Sequence, residues 1–176
     1  IARKTVKLAI EGKSVKAMEP DSEELKKEQG VFVTLKTNGQ LRGCIGRFLS
    51  EEPLWKIMQR MAVAAVREDP RFAGRRIQPE ELDDVDVEVS VLSPLEKTDD
   101  PLSIELGKHG IYVRKGRRTG CFLPQVATET GWSKEEFLSK CCAGKAGLSP
   151  DAWKDPETDI YVFTAEVIHE EDVETE

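Results

Sequence analysis

The sequence predicts an α+β fold in which an antiparallel or mixed β-sheet is flanked by helices. Strand-like runs come largely as hairpins around glycine-containing turns, and amphipathic helical stretches stand between the hairpins rather than after every strand. The chain has 176 residues, 39% hydrophobic and 34% charged, the size and composition of one compact domain burying roughly 70% of its extended-chain surface.

The opening IARKTVKLAIEGK places Val6, Ala9 and Ile10 at helical spacing and stops at Gly12. A charged linker runs to Gly30. VFVTLK and QLRGCIG then flank Asn38-Gly39, a pair suited to the positive backbone angles of a tight turn. With a three-residue loop from Thr37 to Gly39, Val31, Val33 and Leu35 share a face with Leu41, Gly43 and Ile45. Arg42 and Cys44 then share the other face, two residues apart in one strand.

Ser50 is expected to start a helix with Glu51, Glu52 and Pro53 in its first turn. Leu54, Ile57, Met58, Met61 and Ala65 form its apolar stripe, and Asp69-Pro70 stops it. An arginine-rich loop (Arg71, Arg75, Arg76) precedes VDVEVSVL, where Val85, Val87, Val89 and Val91 alternate with a mostly polar face. GIYVR and TGCFLP form a second hairpin around KGRR. Ser133 and Glu136 read as a capping box, with Trp132 stapling onto Phe137 and Gly144 as the stop. Ser149-Pro150-Asp151 reads as a short helix start, DIYVFTAEVI as one last strand, and the acidic run from about His169 as a frayed tail.

Net charge is −7, which argues against a non-specific grip on nucleic acid. RKGRR and the Arg71 to Arg76 cluster keep nucleic-acid binding only as a third reading. No apolar run reaches membrane-spanning length. The chain starts at Ile1 rather than Met, so its native start is expected upstream. Four irregularly spaced cysteines (44, 121, 141, 142) do not make a disulfide framework, and reduced thiols in a cytoplasm are the expectation. Without a C-x-x-C, and with His109 and His169 far apart, no metal or cofactor is expected.

Cys44 is the leading site candidate. Arg42 and Arg47 favour a thiolate, and Gly43 and Gly46 remove bulk around the sulfur; the competing reading is a cysteine packed beneath a helix. His109 is the candidate base for it, against a solvated loop histidine. Glu88 could act as acid or base beside Ser90, both on the polar face of VDVEVSVL, which is more simply a solvated sheet face. Arg71 suits an anionic substrate group, or pairs with an acidic neighbour. Cys121, Cys141 and Cys142 read as packing residues.

Several of these segments resemble the AMMECR domain family, also called AmmeMemoRadiSam system protein A in prokaryotes. LRGCIG at 41 to 46 is similar to the family's signature hexapeptide at every position. GVFVTL precedes it, and DPRF, EVSVL, HGIYV, FLPQVATETGW and KAGL come after it, in the family's order over nearly the whole chain. The resemblance implies a single AMMECR-type domain over residues 1–176, two subdomains and a cleft near the motif. It also implies a site role for Leu41, Arg42, Gly43, Cys44, Ile45 and Gly46, and partnership with a Memo-like protein and a radical SAM enzyme. The resulting expectation is an enzyme component or accessory protein handling a small anionic substrate with Cys44 as reactive thiol. The alternative is a noncatalytic protein-interaction module.

Overall fold

The computed structural model describes residues 1–170, so most of the acidic run begun at His169 lies outside the described residues. The fold is α+β as expected, with two four-stranded antiparallel sheets flanked by helices, and it divides into two compact units. Unit 1 comprises Ile1–Leu92 and the segment from Glu166 onward; unit 2 is Ser93–Ala165.

In unit 1 the sheet order is β2-β1-β3-β8, from β1 (Val31–Thr37), β2 (Gln40–Arg47), β3 (Val85–Leu92) and β8 (Ala165–His169). Helices α1 (Ala2–Ile10) and α2 (Leu54–Arg67) cover one face. They bury Val6, Ile10, Ile57 and Met61 against Val33, Leu35, Val87 and Val89. This apolar stripe is the main driving force for the unit, because helix and strand periodicities point their large side chains into one layer.

Unit 2 orders its sheet β4-β7-β5-β6, from β4 (Glu96–Thr98), β5 (Gly110–Lys115), β6 (Arg118–Phe122) and β7 (Asp159–Phe163). Two helices, α3 (Pro124–Thr130) and α4 (Lys134–Gly144), accompany it. Phe137, Leu138, Cys141 and Cys142 from α4 pack with Ile111, Val113 and Ile160. The capping box holds: Ser133 Oγ accepts the Glu136 N–H and the Glu136 carboxylate accepts the Ser133 N–H. Trp132 reaches Phe137 through the Phe122 ring, which lies between them at centroid distances of 5.8 and 5.4 Å.

Some expectations are corrected. DIYVFTAEVI is two strands, β7 and β8, in different sheets, separated at Thr164, whose N–H and carbonyl both bond to Ser93. The 50–53 segment does not begin α2: Ser50 accepts the Glu52 N–H in a local turn, and the helix starts at Leu54 after Pro53. Pro150–Lys154 is a 3-10 turn, and α3 and β4 went unforeseen. The first hairpin closes through the two residues Asn38 and Gly39, both at positive φ, because Thr37 pairs directly with Gln40. A bulge then restores register: Lys36 opposes Leu41 and Leu35 opposes Gly43, leaving Arg42 as the extra residue. Gly43 and Ile45 therefore do share the face of Val33 and Leu35, whereas Leu41 pairs with Lys36 and is 39% exposed.

Candidate functional site: the Cys44 edge

Cys44 lies in β2, at the edge of the unit 1 sheet, on the face away from α2. Cross-strand pairing sets it opposite Thr34, and Thr34 opposite Glu88, so three polar side chains form one row across β2, β1 and β3. The next row on that face is Gly46, Phe32 and Ser90. Thr34 Oγ1 donates to Cys44 Sγ at 3.3 Å. Glu88 is two strands from Cys44, about 10 Å by strand spacing. Its carboxylate instead accepts from Lys36 at 3.0 Å and faces His169 Nδ1 at 3.6 Å.

The backbone of Cys44 points outward from the edge, where side chains stand in for a missing strand. Asp69 Oδ2 accepts the Cys44 N–H at 3.0 Å, and Arg71 Nη2 donates to the Cys44 carbonyl at 3.0 Å. Asp69 and Arg71 are themselves joined by Nε to Oδ1 at 3.0 Å and Nη2 to Oδ2 at 2.6 Å, a fork on a carboxylate whose side chain is 1% exposed. The Arg71 side-chain hydrogen bond, followed by the Cys44 and Arg71 backbone N–H groups, outweighs burial and holds the Asp69 carboxyl down at about 2. In return Asp69 chiefly, and Cys44 to a smaller extent, raise the pKa of Arg71.

The guanidinium that reaches Cys44 is therefore that of Arg71, which corrects the expected role of Arg42. The bulge turns Arg42 to Glu81, with Nη1 to Oε1 at 2.5 Å and Nη2 to Oε2 at 3.2 Å, and to Thr37 Oγ1 at 2.9 Å. That fork lowers the Glu81 pKa and ties the 3-10 turn Pro79–Asp84 to the hairpin. Arg47 falls on the opposite face from Cys44 by strand alternation.

The motif glycines are also corrected, because protein fills the space beside them. A Cβ on Gly43 would stand 2.3 Å from the Ala65 carbonyl oxygen in α2, and one on Gly46 would stand 2.3 Å from the Phe32 ring. Ile45 packs against the unit 1 core. Ser90 is 1% exposed. His109 belongs to unit 2, where Nδ1 accepts the Glu105 N–H at 3.1 Å, so the neutral ring carries its proton on Nε2. In the basic tip RKGRR, Arg114 pairs with Asp159, Lys115 pairs with Asp155 and Arg118 donates to the Gly147 carbonyl. Cys141 and Cys142 are buried and Cys121 is partly so, and desolvation pushes Cys121 up to about 11 and raises Cys141 and Cys142.

Asp69 and Thr34 were missed. Asp69-Pro70 reads as a helix stop, and nothing local shows that its carboxylate meets a strand 25 residues earlier. Thr34 was open to discovery, as the hydroxyl on the polar face of VFVTLK that correct pairing sets beside the thiol.

This arrangement defines a two-unit α+β protein with a carboxylate-braced cysteine on an edge strand. The AMMECR1 family profile matches residues 1–168, and the chain belongs to that family. It is 44% identical to Protein NEQ441 of Nanoarchaeum equitans over 97% of each chain. It is likewise 44% identical to Protein MK0488 of Methanopyrus kandleri, over 99% of this chain and 87% of the relative. The crystal structure of the uncharacterized protein PH0010 from Pyrococcus horikoshii superposes with a TM-score of 0.84 at 40% identity, covering 97% of this chain and 88% of that one. None of the described helices is long and apolar enough to cross a membrane.

Proposed function

We propose that the chain is an enzyme component or accessory protein that handles a small anionic substrate, with Cys44 as its reactive thiol. The observation that carries this reading is the setting of the sulfur. Thr34 donates a hydrogen bond to it, Arg71 is anchored on the same residue, and the remaining three thiols are disfavoured as thiolates by burial. The thiolate is the form of sulfur that attacks an electrophile.

Arg71 spends Nε and Nη2 on Asp69 and Cys44, and its side chain is 55% exposed. Its outer edge suits an anionic substrate group held beside the sulfur. Asp69 acts as a positioning residue, fixing both the strand and the guanidinium. Glu88, engaged with Lys36, takes no proton-transfer step, and His109 takes none either. A Memo-like protein and a radical SAM enzyme are the proposed partners, following the family resemblance.

Reconstitution with those partners tests the reading. Cys44→Ser abolishes product formation while complex assembly persists; full product formation by this variant overturns a reactive role. A noncatalytic interaction module is favoured by one observation, the exposed Leu41 and Leu49 near the two ends of β2. In that case Cys44→Ser is silent and Leu49→Ser weakens partner capture.

A further inference from the structure

Arg47 ends the signature strand on the face where α2 packs, and there it borders a groove of about 450 Å³ between α2 and the 15–17 segment. Cations converge from three parts of the chain: Lys16 from that segment, Arg47 from β2, and Lys56 and Arg60 from α2. The single carboxylate in the lining is Glu68, and Lys56 and Arg60 share Glu52. Among the described residues, neither Arg47 nor the Lys16 ammonium has an ion-pair partner. Four cations against two carboxylates leave a surplus of two positive charges, in a chain whose net charge is −7. Lys36, Arg42, Arg71, Arg114 and Lys115, by contrast, each pair with a carboxylate.

The groove is also built. Gln59, 6% exposed, donates from Nε2 to the Lys16 carbonyl at 3.1 Å and accepts the Met18 N–H on Oε1 at 3.1 Å. This two-point pairing holds the outer wall on α2 much as a neighbouring strand would. Val15, Trp55 and Val63 supply an apolar lining between the charges.

We propose that this groove binds a small organic phosphate, its head on Arg47 and Lys16 and its apolar body against Val15, Trp55 and Val63. A phosphate monoester carries nearly two negative charges near neutral pH, matching the surplus, and its oxygens fit the guanidinium fork. A monocarboxylate brings one charge and leaves the other cation unmatched. Being on the opposite face of the sheet from Cys44, the site is independent of the thiol reading.

Phenyl phosphate is the probe, titrated into the whole chain at low ionic strength while the Trp55 indole and Arg47 Nε–H resonances are followed by NMR. The expected result is saturation with half-effect at about 1 mM or below. Arg47→Gln and Lys16→Gln, both at exposed side chains, each weaken it about tenfold with amide shifts elsewhere unchanged. Benzoate, with the same ring and one charge, binds about tenfold more weakly, and added salt weakens phenyl phosphate. Equal binding of benzoate, undiminished binding in both variants, or no saturable shift at about 20 mM overturns the proposal.

Discussion

Asp69 replaces a neighbouring strand for Cys44: its Oδ2 accepts the Cys44 N–H at 3.0 Å across 25 residues of sequence. The same carboxylate holds Arg71 in a fork, so one buried charge organises both the backbone and the cation at the thiol. Replacing it by an amide removes the charge and one acceptor oxygen, so the Cys44 N–H and the Arg71 fork can no longer both be satisfied. Asp69→Asn is expected to cost about 2–4 kcal/mol, measured by urea denaturation at neutral pH.

Acid stability follows from the same group. The Asp69 carboxyl titrates at about 2 in the fold against an ordinary 3.8. A depressed carboxyl stabilises the fold fully above the higher value, and the contribution is lost as pH falls toward the lower one. Denaturation free energies at successive pH values should therefore fall less steeply below about pH 4 in Asp69→Asn than in wild type.

Arg71→Gln leaves the Asp69 carboxylate buried without its cation. Its pKa should rise toward the ordinary value, so the folded and unfolded carboxyls differ less and stability should fall less steeply below about pH 4 than in wild type. The Asp69→Asn/Arg71→Gln pair should couple by about 1–3 kcal/mol in a double-mutant cycle, the double variant losing less than the sum of the two. Strict additivity would mean that the fork contributes nothing as a pair.

The glycines of the motif and of its turn should respond differently. Gly43→Ala drives a Cβ onto the Ala65 carbonyl in α2, and backbone cannot give way cheaply. A loss of about 2–4 kcal/mol and a clear fall in Tm are expected. Gly39→Ala meets no atom within 4 Å but sits at φ +74°, so its cost is backbone strain alone, about 1 kcal/mol. Thermal melts of the two variants check the order.

Local signals were the legible ones. The stripe from Leu54 to Ala65 gave α2, Asn38-Gly39 gave the first turn, and Ser133 with Glu136 gave the start of α4. What was not legible depends on contacts distant in sequence. DIYVFTAEVI carries no breaker, and only the Ser93 to Thr164 bonds mark where one strand becomes two. The Arg42 bulge has no composition signature, and it decides which arginine faces the thiol. Cys44 itself stood out in sequence, whereas its supports, Thr34 and Asp69, are defined by cross-strand register and by a turn folding back onto the sheet edge.

Site-resolved alkylation of the folded protein most directly tests Cys44 as the reactive thiol. Brief iodoacetamide treatment near neutral pH, read by peptide mass spectrometry, should modify Cys44 about a hundredfold faster than Cys121, Cys141 or Cys142, and Arg71→Gln should slow it. Labelling of Cys44 no faster than of the other three cysteines, or undiminished by loss of Arg71, would contradict the assignment.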